Sequence, residues 1–361
     1  MSAARRGMAF MRNGRTTGRR EFLSTCLAGA VGLTGLRDAT GLHAFKASRE
    51  QSASRVSVAI DPFLRGRAAP PGARTPGAVD PGRIRGLLDR AMQGLYEAGE
   101  PGALWALLVH PGQRVGIKVN TLGGRGLSTS VPLVEAVCER LQQAGIRAQD
   151  IVVWDRDSTE LERAGFRIRR GANRDANQVQ CFGTDRGGFE DELSSFGSVG
   201  SRLSQILTRG CDVLINMPVL KDHDGAGVSI ALKNMYGVIH NPNKYHPDGC
   251  NPYIADVNML PEIRGKLRLH ICDATSACYD GGPAFKPEST WQPNALIVAE
   301  DPVALDHTGW QMIERKRAEK GLKTLAADGR EPRYIATAAD AEHRLGSNDP
   351  RRIALIETQM N

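Results

Sequence analysis

The chain has 361 residues, of which 41% are hydrophobic, 24% charged and 5% aromatic, with 40 glycines, 19 prolines and seven cysteines. A mean hydropathy of -0.33 and the lack of an apolar run of about 18 residues exclude a polytopic membrane protein, and the sparse cysteines exclude a disulfide scaffold. The formal charge of +7 suggests a nucleic-acid partner, but residues 1–47 hold eight Lys or Arg against two acidic residues, so the remaining body is nearly neutral. Basic patches interleaved with aromatics are also missing, which argues against nucleic-acid binding.

The N-terminus explains that charge. Thr17-Gly18-Arg19-Arg20-Glu21-Phe22-Leu23-Ser24 precedes an apolar stretch rich in Ala and Gly, Thr25 to Leu36. Paired arginines before a short, weakly hydrophobic segment read as a twin-arginine export signal over residues 1–47. The expected location is therefore the periplasm, with the twin-arginine translocase as a transient partner. The signal is either cut after Ala44 or, because Leu42 fits a small-residue cleavage rule poorly, kept as an uncleaved membrane anchor. That route carries folded proteins, which raises the expectation of a bound cofactor. In an oxidising compartment Cys272–Cys278, or Cys250 with either, are candidate disulfides. The absence of any Cys-x2-Cys spacing argues against an iron–sulfur cluster or structural zinc. Cys138 and Cys211 read as small core residues.

Residues 48–82 read as a linker with one strand at Val56–Ile60. From residue 83 the pattern alternates. Ile84, Leu87, Leu88, Met92 and Leu95 make a helical stripe. Val115–Asn120 is strand-like, Val131–Gly145 an amphipathic helix, and Ile151–Trp154 a strand ending at Asp155. Residues 171–200 have no clear period and read as an insertion or long surface segment. Val213–Met217 is a buried strand, Val228–Ile239 helical, Leu267–Cys272 and Ala295–Ala299 strands, and Pro302–Lys320 a helix. The alternation predicts an α/β fold: a mainly parallel sheet flanked by helices, in one large domain over 83–361.

Ligands of such sheets bind beyond the carboxyl ends of the strands. Those ends carry Lys118, Asn120 and Thr121; Asp155 and Asp157; Asn216 followed by Lys221, Asp222, His223 and Asp224; Asp273; and Asp301. Gly225 and Gly227 open the stretch leading to Lys233 and Asn234, where backbone N–H groups at a helix start favour an anion. Lys118, Lys221 and Lys233 supply charge for a carboxylate or phosphate, so a small anionic ligand is the expected partner. His223, with Asp222 and Lys221, is the candidate proton-moving group. His223, His240 and His246 are candidate ligands of a metal ion, although their spacing matches no established zinc signature. His270 reads as structural, and Asp301 as the N-cap before Pro302. Neither the P-loop nor the dinucleotide fingerprint, Gly-x-Ser-x-Gly or His-Glu-x-x-His is present.

Four segments in order carry a resemblance: Gly116–Asn120, Leu214–His223, Ala231–Gly237 and Glu300–Asp306. Together they resemble the bacterial and archaeal family called domain of unknown function 362, over about residues 113–310. The resemblance implies that the family pattern falls on Lys118, Asn120, Asn216, Lys221, His223, Lys233, Asn234, Asp301 and Asp306, which overlaps the strand-end residues. Many relatives carry a ferredoxin-like cluster module, whose cysteine run this chain lacks. The expected function is an exported enzyme acting on a small anionic substrate, in a metal-assisted oxidoreductase or isomerase class. The alternative is a periplasmic ligand-binding or cofactor-delivery protein without catalysis.

Overall fold

A computed structural model describes residues 53–66, 77–97, 99–170 and 178–361. The signal expected over 1–47, including Cys26, lies outside the described residues. The strands are β1 (Ser54–Ile60), β2 (Val115–Lys118), β3 (Ile151–Trp154), β4 (Gln180–Cys181), β5 (Ser194–Phe196), β6 (Val199–Ser201) and β7 (Val213–Asn216). They continue as β8 (Val219–His223), β9 (Gly227–Ser229), β10 (Leu267–Cys278), β11 (Thr290–Trp291), β12 (Ala295–Ala299) and β13 (Ile353–Gln359).

The main sheet runs in the order β13-β1-β12-β10-β7-β2-β3-β4. From β10 to β4 every pairing is parallel, whereas β12 is antiparallel to both β10 and β1. The result is the mainly parallel α/β sheet that the alternating pattern predicts. Val152, Trp154 and Leu214 point into one apolar cluster, while Val153, Val213 and Ile215 point into another. Both faces are therefore buried, which is why these strands read as continuous apolar runs.

Helices cover the faces with stripes visible in the sequence. Pro81–Tyr96 buries Ile84, Leu87, Leu88, Ala91, Met92 and Leu95, and starts where the Asp80 side chain accepts from the Arg83 amide. Val131–Gln143 begins with Pro in its first turn. Pro302–Glu319 starts at Asp301, whose carboxylate accepts from the amides of Val303 and Ala304 at 2.8 and 2.9 Å. No helix among the described residues is long and apolar enough to cross a membrane.

Three expectations need correction. Val228–Ile239 is not one helix. β9 occupies its start, Ala231–Asn234 makes one α turn, and Met235–Val238 tightens into a 3-10 turn. Val219–His223, placed beyond the end of the Val213–Met217 strand, is itself a strand paired with both β9 and the far half of β10. No expected disulfide is present: Cys138, Cys181, Cys211, Cys250, Cys272 and Cys278 are all free and buried. Cys272 and Cys278 lie on the same strand, and six residues of extended chain separate them by roughly 20 Å, far beyond bridging distance.

The register fixes the functional end of the sheet. Lys118 pairs with Asn216 on one side and Trp154 on the other. The last residues of β2, β3 and β7 therefore stand level, and Asp155 follows at the same height. After Met217 and Pro218 the chain re-enters as β8, so Lys221 and His223 share one face by the period of two while Asp222 takes the other.

Candidate functional site

The carboxyl ends of β2, β3 and β8 border a cavity of about 470 Å³, whose lining includes Lys118, Asn120, Asp155, Lys221, His223, Lys233, Asn234, Tyr236 and His246, with Arg156, Glu160 and Asp224 as its other charged groups. Its volume suits a small organic ligand. Of the expected site residues, Lys118, Asn120, Lys221, His223, Lys233, Asn234 and His246 are gathered here.

The floor is a chain of amides. Asn216 Nδ2 donates to the Ala231 carbonyl at 2.9 Å, and its Oδ1 accepts from Asn234 Nδ2 at 2.7 Å. Asn234 Oδ1 accepts from Asn120 Nδ2 at 3.0 Å, and Asn120 Oδ1 accepts from Lys221 Nζ at 2.7 Å. Every amide orientation is fixed by the next, so the site is rigid before any ligand arrives. Asn216 also reaches His270 Nδ1 at 3.0 Å, and His270 is fully buried, its pKa pushed down to about 3 by burial. It is a neutral structural side chain.

The three lysines differ. Lys118 Nζ donates to Asp155 Oδ1 at 2.7 Å, and Asp155 Oδ2 accepts from both the amide and the hydroxyl of Thr121 at 2.8 Å. Burial works against the Asp155 carboxylate, but Lys118 and these donors hold it below the usual range. Gly237 permits this pair: a Cβ there would sit 2.6 Å from Lys118 Nζ. Lys118 is thus neutralised. Lys221 and Lys233 have no such contact: among the described residues neither has a carboxylate within ion-pair distance, and Asp155 and Asp224 favour their charges only from farther off. Lys221 bonds only Asn120. Lys233 Nζ meets His246 Nε2 at 3.2 Å and lies 4.5 Å from the Tyr236 ring centre. Burial, against the pull of Asp155 and with repulsion from Lys233, lowers Lys221 to about 8, and burial lowers Lys233 too.

His223 is held as a donor. The amides of Gly225 and Ala226 both donate to its Nδ1, at 3.1 and 3.2 Å. The Gly225 amide is shared with Asp224 Oδ1, which lies 3.2 Å from the same nitrogen. With two N–H groups directed at Nδ1, the ring proton is assigned to Nε2. Burial, with Lys233 and other cations nearby, drives its pKa down to about 2. A ring in that state stays neutral near pH 7, so it offers an N–H rather than a base. His246 also stays neutral. Its Nδ1 faces the Pro242 carbonyl at 3.1 Å, leaving Nε2 to accept from Lys233, and burial lowers its pKa.

The other expected residues lie elsewhere. Asp222 faces away from the cavity and accepts two bonds from Arg330 Nη1, at 2.7 and 2.8 Å. Burial raises its carboxyl to about 6 against the pull of Arg330. It is a strut behind β8, not a catalytic acid. The amides of Gly225 and Ala226 serve His223, so the loop beginning at Gly225 does not cradle an anion. Gly227 has a positive φ of 79°, and a Cβ there would sit 2.2 Å from the Arg330 carbonyl, so its role is to let two backbones pass. The helix start at Ala231 and Leu232 is filled by the Asp306 carboxyl, at 2.7 and 3.2 Å. Asp301 caps its helix and also receives the Ser54 hydroxyl and the Ser347 amide. His240 packs edge-on against Phe189, 5.0 Å between ring centres, so the three histidines do not converge. No group of three or more His, Cys, Asp or Glu side chains arranged to hold a metal ion occurs among the described residues.

Tyr236 and Arg330 take part without having been singled out from sequence. Tyr236 lies in the Lys-Asn-Met-Tyr-Gly run, but nothing local shows that its ring would support Lys233. Arg330 is distant in sequence, and only the fold brings it to Asp222.

Fold and site together define an α/β protein with a rigid cationic cavity at the carboxyl ends of its parallel strands. Residues 115–311, more than half of the chain, match the profile of the family described as Domain of unknown function (DUF362), and the chain belongs to that family. A search of curated proteins finds no match.

Proposed function

We propose that this chain is an exported enzyme that takes a small organic anion into the strand-end cavity. The observation that carries this reading is the pair Lys221 and Lys233, two buried cations facing one cavity with no carboxylate in ion-pair contact, since Asp155 and Asp224 act on them only from farther off. Buried charge is costly unless paired, and a bound anion supplies the missing partner. Lys118 is the internal control: the same residue type at the same strand ends is matched by Asp155 and needs no ligand. His223 Nε2–H adds a directed donor. The proton-moving group in this reading is Lys221, because the His223 ring is too weakly basic.

Metal assistance is no part of the reading. His223 Nδ1 already accepts two amides, His246 Nε2 faces an ammonium, and two lysine cations would repel a metal ion there. Export rests on the Arg19-Arg20 signal. Native mass spectrometry of the chain exported by its own leader tests both points. The expected result is a mature or leader-bearing periplasmic protein that retains an organic anion, with the anion lost in Lys233→Met. A ligand-free protein that binds neither malonate nor phosphate in calorimetry overturns the binding reading. A retained ligand that is released unchanged over many turnover times identifies a carrier instead of an enzyme.

A further inference from the structure

The cavity's two unmatched lysines have different surroundings, and the difference suggests a division of labour. We infer that Lys221 is a carbonyl-reactive amine that forms an imine with an aldehyde or 2-oxo group carried beside the ligand's acidic group, which Lys233 and His223 hold. This rests on the anionic-ligand reading above and names the substrate class within it.

Lys221 Nζ lies at the cavity with a single acceptor, Asn120 Oδ1 at 2.7 Å. That acceptor is itself fixed through Asn234 and Asn216, so the amine is aimed by a neutral amide and not by a carboxylate in contact. Lys233 shares the cavity, and two ammonium groups in one desolvated space disfavour each other. The one that keeps its proton is Lys233. Its Nζ lies 4.5 Å from the Tyr236 ring centre, and an aromatic face favours the cation. Lys221 has no ring contact; Asp155 favours its charge from beyond ion-pair distance, but burial outweighs it, and the lowered basicity agrees with a nucleophilic role.

The chemistry balances without an outside redox partner. The neutral Nζ lone pair forms a C–N bond to the carbonyl carbon as the C=O π pair moves to oxygen. The C–O bond of the resulting carbinolamine then breaks. The two amine hydrogens finish on the oxygen that leaves as water, and the C=N bond remains. Once protonated, that imine withdraws electrons from the adjacent carbon. The reaction classes it supports are proton transfer beside a carbonyl and loss of a neighbouring carboxylate as carbon dioxide.

The test treats the full chain with glyoxylate and cyanoborohydride near neutral pH and maps the adduct by peptide mass. The expected product is one carboxymethyl group on Lys221, formed about tenfold or more faster than on the exposed Lys320 and Lys323. An excess of malonate, an acid with no reactive carbonyl, should slow it. Lys221→Met should lose the adduct while keeping the wild-type melting profile or a higher one. Malonate binding by calorimetry combined with labelling of Lys221 no faster than of Lys320 overturns the imine while leaving the anion site standing. Failure of both malonate and glyoxylate to bind overturns the two together.

Discussion

Replacing Lys221 by Met should make the ligand-free protein more stable, contrary to the usual effect of a buried substitution. Lys221 is 1% exposed, and its pKa falls from 10.5 to about 8. At about 1.4 kcal/mol per tenfold change, that fall amounts to about 3 kcal/mol against the charged amine in the native state. Met keeps the length of the side chain without the charge. It leaves Asn120 Oδ1 without its lysine donor, which costs about 1 kcal/mol. The net gain near pH 7 is about 2 kcal/mol, or a rise of about 3 °C in Tm for a chain of this size.

The sign of the pH dependence follows from the same residue. Near pH 7 the amine is charged in both the native and unfolded chains. As pH rises through about 8 the native amine loses its proton first, while the unfolded one keeps it to about 10.5. The unfolded state then binds more protons, so stability rises with pH across that window. Urea unfolding of wild type and Lys221→Met at about pH 7 and about pH 9.5 reads both effects. The variant should start higher and lack the rise that wild type shows. A variant less stable than wild type near pH 7, with the same pH slope, would refute the picture of an unmatched cation.

Three further outcomes follow. Nitrogen-15 NMR of His223 should show a neutral ring protonated on Nε2 throughout the range around neutrality, because two amides occupy Nδ1; a midpoint near the ordinary 6.5 would contradict this. Arg330→Met leaves buried Asp222 without its two-bond partner and should cost about 3–5 kcal/mol, most of it recovered when Asp222→Asn is added; a neutral single variant would show that the strut carries nothing. His343 lies between Asp256 Oδ1 and Asp340 Oδ1, each at 2.9 Å. Burial opposes its charge, but these carboxylates raise its pKa above 6.5. Its contribution should therefore be fully present below pH 6.5 and lost as pH rises through the raised value, and His343→Gln should flatten that part of the stability profile.

Much of the sheet was legible because strands such as Val213–Asn216 and Ala295–Ala299 are apolar on both faces, and because Asp-Pro announces the helix at Pro302. The pocket was legible as a set of strand ends, and the parallel register does bring Lys118, Asn120, Lys221 and Lys233 to one cavity. The hairpin of β8 and β9 was not, since Lys221-Asp222-His223 carries no apolar alternation of its own, and its pairing with the far half of β10 is long-range. Reading that segment as a strand would have shown by alternation that Asp222 points away from Lys221 and His223. Nor could local pattern show that Asp155 would contact Lys118 and not Lys221, or that Asp306 would fill the helix start at Ala231 from 75 residues away. Those are long-range choices between equivalent charges, made by packing.

A crystal structure of the protein grown with malonate tests the account most directly. The account predicts one carboxylate of malonate bonded to the Nζ atoms of Lys221 and Lys233, with His223 Nε2–H donating to the ligand and the Lys118–Asp155 pair unbroken. Malonate found only on surface arginines, with Lys221 and Lys233 turned to protein carboxylates, would contradict it.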